Sequence, residues 1–208
     1  MSGLLLKDFY LLKKYCRAYA VIVAVFIIVS FINPENLLFF FYPCVFSGLA
    51  PVTLISYDER EKWTVYAGTL PVTRAQMVSS KYWISLIMGG IVMALMIAGQ
   101  TAARIRNGGL GPDYAVTVVG MISVILLVPA FVLPFVFRLG AEKGRIAYIV
   151  VLVVAAACIG GLFGLSDIRM FPAGSAGAGW AVPVLLAVAA AFVVSWRLSI
   201  RIYEKKEL

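Results

Sequence analysis

The residues best equipped for chemistry in this chain sit side by side: Asp58, Glu59, Arg60, Glu61 and Lys62 are consecutive, and Trp63 follows at once. Carboxylates beside cations can move protons or hold a metal, but the surroundings such reactions need are missing. The 208 residues include no histidine, which removes the commonest general base and metal ligand. No HExxH, paired-aspartate or activated Ser or Cys arrangement occurs, so no catalytic residue is expected. The glycine-rich GSAGAG at Gly174–Gly179 lacks the Gly-Lys-Ser/Thr ending of a phosphate loop and reads as a flexible or re-entrant external loop. Cys16, Cys44 and Cys158 have no metal-ligand spacing and read as small buried hydrophobes. The chain is therefore expected to carry no cofactor and no metal. Its charge cluster is there to be touched rather than to react.

What positions the cluster is a very apolar chain, 62% hydrophobic and only 13% charged, with a mean hydropathy of +0.98. Soluble domains carry about 25% charged residues. Long, continuous apolar runs satisfy their backbone in lipid as helices. Six such runs are read, at 18–32, 37–57, 82–101, 115–137, 146–165 and 181–200. The expected fold is an all-α polytopic membrane protein, with 1–208 forming a single transmembrane domain. The first run rises only about 22 Å, short of a hydrocarbon core of about 30 Å.

The net charge of +8 is explained by topology rather than by nucleic acid, which is not an expected partner. Fifteen of the eighteen Lys and Arg residues fall on one side of the spans. They lie in the N-terminal segment (Lys7, Lys13, Lys14, Arg17), between runs two and three with the foot of the third (Arg60, Lys62, Arg74, Lys81), between runs four and five (Arg138, Lys143, Arg145), and at the C-terminus (Arg197, Arg201, Lys205, Lys206). Only Arg104, Arg106 and Arg169 lie opposite. Both termini and the Asp58–Lys62 cluster are thus expected on the cytoplasmic side. No ionisable side chain sits at mid-depth in the runs, which disfavours an ion-coupled transporter or a proton pump.

Around the cluster the local signals are specific. Trp63, Tyr66, Ala67 and Leu70 fall at i, i+3, i+4 and i+7, a helical stripe with two aromatics that seeks a surface, either headgroups or a protein. Asp58 and Lys62, four apart, are expected to pair along that short helix. Gly68–Pro71 breaks it. Thr73 and Gln76 then form a capping box, with Val72 and Met77 as its hydrophobic staple, for a helix climbing into the third run. Upstream, Leu5, Phe9 and Leu12 share one face of a segment rich in Lys7, Asp8, Lys13 and Lys14, which suits a helix over 3–17 in the headgroup plane. Pro43 and Pro51 in the second run and Pro129 and Pro134 in the fourth are candidate kinks on a moving pathway. Gly90, Ala94 and Ala98, and likewise Ala156, Gly160 and Gly164, are spaced for close helix contact.

Six spans, an interfacial N-terminal helix and the run EREKWTVYAGTLPVTRAQMVSSKY at Glu59–Tyr82 together resemble the permease subunit of a type-2 ABC exporter. The likeness is nearest to the small bacterial permeases that export phenol-soluble modulins, which are amphipathic toxin peptides. The resemblance covers essentially the whole chain, and its most specific part is Lys62–Tyr82. It implies a multi-pass protein of the bacterial cytoplasmic membrane that pairs with a second copy or paralogue. It further implies a cytoplasmic ABC ATPase that carries all the ATP and Mg. The segment around Glu59–Pro71 would be the coupling helix seated in that ATPase, with Glu59, Arg60, Glu61, Lys62, Trp63, Tyr66, Leu70 and Pro71 at the contact. The helix around Leu4–Lys14, with Lys7, Asp8 and Phe9, would be the elbow helix. An outer loop over Ser166–Trp180 would dip back into the membrane. A ligand-capturing subunit of a vitamin-type importer, or a non-transporting scaffold or immunity protein, is the alternative for the same topology.

Overall fold

In the computed structural model the described residues are 2–15, 17–32, 38–48, 50–67, 69, 71–106, 113–144, 146 and 176–205. Their elements are α1 (Ser2–Tyr15), α2 (Arg17–Ile32), α3 (Leu38–Ser47), α4 (Ala50–Arg60), α5 (Trp63–Ala67), α6 (Arg74–Arg106), α7 (Asp113–Leu139) and α8 (Ala176–Glu204). No strand occurs among the described residues. Among the described residues three helices are long and apolar enough to cross a membrane: α6 over Arg74–Ala102, α7 over Thr117–Leu139 and α8 over Ala181–Glu204. They coincide with the third, fourth and sixth apolar runs. The first run is the 16-residue α2. The fifth, apart from Ile146, lies outside the described residues.

The second run is not one helix. It divides between Ser47 and Ala50, and its second half continues to Arg60. Pro51 supplies the reason, since it has no N–H to offer the Ser47 carbonyl four residues back. In the first turn of α4 the missing donor costs nothing, because N–H groups there have no helical partner anyway. Pro51 therefore starts a helix rather than bending one. Gly48 lets the break nestle against α7: a Cβ there would lie 2.3 Å from Val128 Cγ1.

The proposed external loop is also corrected in part. Ala176–Trp180 are the first residues of α8, because extending an existing apolar helix costs far less than nucleating one, even through glycine. Residues 166–175 lie outside the described residues.

Helix ends are fixed locally. At the start of α6 the Gln76 N–H donates to Thr73 Oγ1 (3.3 Å) and the Thr73 N–H donates to Gln76 Oε1 (3.2 Å), the reciprocal capping box. At the end of α7, Gly140 takes the left-handed conformation (φ 89) and its N–H donates to the Val136 carbonyl at 2.8 Å.

The interior forms three apolar clusters. One joins α4, α6, α7 and α8 through Val52, Val78, Tyr82, Leu133 and Phe192. A second joins α2, α3, α6 and α7 through Val23, Cys44, Met96 and Met121. The third seats α1 on α4 and α6 through Leu12, Ala50, Leu54 and Ile84. All three run through α6, which makes it the central strut of the described structure.

Candidate functional site

The functional geometry concentrates at the foot of α6, where consecutive residues Lys81 and Tyr82 are held by two different sets of neighbours. Lys81 Nζ donates to Asp8 Oδ1 of α1 at 2.8 Å and to Asp58 Oδ2 of α4 at 2.6 Å. Lys7 Nζ reaches Asp58 Oδ1 at 2.5 Å and Asp8 Oδ1 at 3.4 Å. The four side chains form a closed ring of alternating sign with no net charge. Asp8 and Lys81 are almost fully enclosed, and Lys7 is the most open member at 22% exposure. A buried ring of this kind is tolerable only because each charge faces two of opposite sign. Beside it lies a cavity of about 120 Å³ whose lining includes Leu4, Glu59, Trp63, Ser80, Phe137 and Tyr203.

This ring overturns one expectation. Asp58 does not pair with Lys62: α4 ends at Arg60, Lys62 sits in the turn beyond it with φ 51, and the i, i+4 relation never forms. Within the helix expected to be the elbow, Asp8 is 1% exposed and bound to Lys81. Leu12 of the expected elbow stripe is buried, whereas Phe9 is exposed.

On its other side the α6 foot is held without charge. The Tyr82 hydroxyl lies 2.9 Å from Ser195 Oγ and 2.7 Å from Ser199 Oγ, both on α8. Ser195 Oγ in turn donates to the Ala130 carbonyl of α7 at 2.5 Å. Each hydroxyl has one hydrogen, so the direction is fixed: Ser199 donates to Tyr82, Tyr82 to Ser195, and Ser195 to Ala130. Ala130 is four residues before Pro134, which has no N–H to return to that carbonyl. The proline thus frees an acceptor inside α7 and the neighbouring helix satisfies it. Trp196 stacks on the Tyr82 ring (centroids 5.6 Å apart, 8° between planes) and its Nε1–H donates to Ser79 Oγ at 3.0 Å.

The segment below this foot has an inner and an outer side. Glu59, itself exposed, accepts the Ala141 N–H on Oε2 at 2.9 Å, which ties α4 to the residues just after α7. Trp63 lies under the Lys7 ammonium, 4.1 Å from ring centre to Nζ, and packs against Tyr66 with centroids 5.3 Å apart. Ala67 is fully buried. Facing outward are Arg60, Glu61, Lys62, Tyr66 (58% exposed) and Pro71. Leu70 lies outside the described residues. Of the eight expected contact residues, Glu59, Arg60, Glu61, Lys62, Tyr66 and Pro71 are exposed, Glu59 and Trp63 also make contacts within the chain, and Trp63 is only partly exposed.

The kink candidates also separate by role. Pro43, Pro129 and Pro134 lie inside continuous helices, Pro43 and Pro129 buried and Pro134 partly so, whereas Pro51 opens α4. Of the small-residue spacings, Gly90, Ala94 and Ala98 lie on an exposed face of α6. The close helix contact is made instead by Gly89, where a Cβ would come within 2.4 Å of Ile125 Cγ2 on α7. Ala156, Gly160 and Gly164 lie outside the described residues.

Sequence reasoning missed the charge ring and the hydroxyl chain, because both join residues far apart in the chain. A proline within an apolar run is nevertheless a readable sign that some donor must reach the carbonyl four residues before it.

A family model described as ABC-2 family transporter protein matches residues 3–204, nearly the whole chain. No curated protein and no solved structure matches.

Proposed function

From the premise that this chain belongs to the ABC-2 transporter family, as a multi-pass membrane permease subunit, we propose an ATP-driven exporter whose separate ATPase docks on the outward side of the 59–71 segment. The single observation that carries this reading is that the segment is both exposed and tied to several helices. Arg60, Glu61, Lys62, Tyr66 and Pro71 are exposed, while Glu59 accepts the Ala141 N–H beyond α7, Trp63 lies under Lys7 of α1, and the preceding Asp58 binds Lys81 at the foot of α6. An apolar-aromatic patch with charged neighbours suits a protein cleft.

Movement of the docked ATPases would enter through this patch and pass into the α1–α4–α6 charge ring. It would then reach α7 and α8 through Tyr82 and Ser195. Both chain ends and the docking patch face the cytoplasm in this reading, with six spans in a bacterial cytoplasmic membrane. Two permease copies form the pathway, and the small-residue face of α6 at Gly90, Ala94 and Ala98 is available for their contact. The lack of Asp, Glu, Lys and Arg at mid-depth in the apolar runs favours an apolar or amphipathic cargo, and the resemblance to phenol-soluble modulin exporters is the ground for proposing amphipathic peptides first. Catalysis belongs to the partner, which brings ATP and Mg. Family membership favours this reading over an importer's capture subunit or a scaffold.

The test is co-purification with the cognate ATPase and measurement of its hydrolysis in proteoliposomes. A Arg60→Ala, Glu61→Ala, Tyr66→Ala triple variant should stay folded, lose the ATPase and lose permease-dependent stimulation of hydrolysis. A complex that survives this change with stimulation intact would refute the docking assignment.

A further inference from the structure

We propose that the outer groove between α7 and α8 holds one anionic glycerophospholipid, with its headgroup on Arg138 and one acyl chain lying along the two helices. The groove has a volume of about 380 Å³ and runs from Ala130 and Ala191 at one end to Arg138 and Ile202 at the other. Helix rise makes that about 12 Å along α7 and about 17 Å along α8. Half of a hydrocarbon core of about 30 Å is about 15 Å, the depth of one leaflet. The groove also sits at the matching height: Arg138 is one residue from the end of the α7 span at Leu139, and Ile202 is two from the end of the α8 span at Glu204.

Its chemistry is divided as a lipid's is. Phe131, Phe135, Val194 and Leu198 form apolar walls and are all well exposed in the chain. At the interfacial end stands Arg138, an exposed cation with no carboxylate partner among the described residues. A guanidinium at that depth, with an apolar track leading away from it into the bilayer, matches a phosphate with an acyl chain beneath it. A second groove, between α1 and α6, is lined by Leu5, Leu6, Phe9, Leu12, Ile84, Ile87 and Met88 and has no charged lining residue. It offers nothing by which to choose a headgroup, so the contrast between the two grooves rests on Arg138. The lipid chain would cover Ser195 and Ala130, the two groups bonded where Pro134 interrupts α7.

The experiment uses the full chain reconstituted with equal amounts of phosphatidylglycerol and phosphatidylcholine of identical chains, followed by native mass spectrometry of the lipid retained after detergent washing. The wild type should keep one phosphatidylglycerol per chain in preference to phosphatidylcholine. Arg138→Gln should lower that preference by about fivefold, the worth of one basic side chain at an anionic surface, and Arg138→Lys should keep most of it. In parallel, a fluorophore on Leu198→Cys should be quenched more by brominated-chain phosphatidylglycerol than by the brominated phosphatidylcholine, and Arg138→Gln should abolish the difference. Equal retention of both lipids by the wild type, or an unchanged preference in Arg138→Gln, would overturn the proposal. So would efficient disulfide formation between two copies carrying Val194→Cys, which would make the groove a protein interface.

Discussion

The two sides of the α6 foot hold the same helix by opposite means. Toward α1 and α4, Lys81 is gripped by full charges in a closed ring with Asp8, Asp58 and Lys7. Toward α7 and α8, Tyr82 is gripped by neutral hydroxyls and a stacked indole. Lys81 and Tyr82 are adjacent, so the difference follows from the faces of α6 they occupy and not from depth. On the α1–α4 face Lys7 remains part-exposed and each ion has two partners. On the α7–α8 face, a lone charge among apolar side chains would be far more costly than a hydroxyl with its single hydrogen placed. The ionic side is therefore strong but conditional on all its members, and the hydroxyl side weaker but indifferent to charge. In the proposed reading, where movement enters from a docked ATPase, this puts the charge-dependent joint nearest the input.

The largest expected effect comes from breaking the ionic side. Lys81→Met leaves Asp8 and Asp58 facing each other with only Lys7 to share, and removing one partner of a buried ion pair costs about 3–5 kcal/mol. The melting temperature in detergent should fall sharply. Adding Asp8→Asn to Lys81→Met should recover part of the loss, because one orphaned carboxylate is removed. If the single variant melts within a degree of the wild type, the ring contributes nothing and the contrast drawn above fails.

A smaller, more diagnostic effect is expected on the hydroxyl side. Ser195→Ala strips the donor from a carbonyl that Pro134 has already deprived of its helical partner, leaving a buried acceptor at a cost of about 1–3 kcal/mol. Pro134→Ala restores an N–H to residue 134, which can then bond the Ala130 carbonyl directly. In the double variant Ser195→Ala, Pro134→Ala the loss should therefore largely disappear. The coupling energy read from the four melting curves should exceed about 0.5 kcal/mol. Strict additivity would show that Ser195 serves Tyr82 alone and that the proline is independent of the clamp.

The capping box at Thr73 and Gln76 was legible in the sequence because its physics is local: two side chains three residues apart meet as soon as the helix begins. Spans α6, α7 and α8 were legible because continuous hydropathy needs no knowledge of neighbours. The ring was not, since Lys81 meets Asp8 across 73 positions and Asp58 across 23. Spacing rules see only one helix at a time. The expected Asp58–Lys62 pair failed for the same reason in reverse. It assumed a helix through both residues, while α4 ends at Arg60 so that Asp58 can turn inward and the residues beyond it can turn out. The aromatic stripe was read as seeking headgroups or a partner, but its Trp63 finds a surface inside the chain, under Lys7.

The turn at Lys62 joins the two regions, with the ring behind it and the exposed patch ahead, and it yields the smallest effect. Lys62 holds φ 51, a conformation that costs a side-chain-bearing residue about 1–2 kcal/mol. Glycine there relieves the strain but gives back about 0.4–1 kcal/mol through the greater freedom of the unfolded chain. Lys62→Gly should thus raise stability slightly, by less than about 1 kcal/mol. Lys62→Val, β-branched and ill-suited to positive φ, should lower it. The comparison matters for its sign. If Lys62→Gly is stabilising, the lysine is kept at a backbone cost that its fold does not require, which points to its exposed side chain on the proposed docking surface. If Lys62→Gly is instead destabilising, the ammonium contributes to the fold, and Lys62 belongs with the inward clamp rather than with Arg60 and Glu61 on the exposed patch.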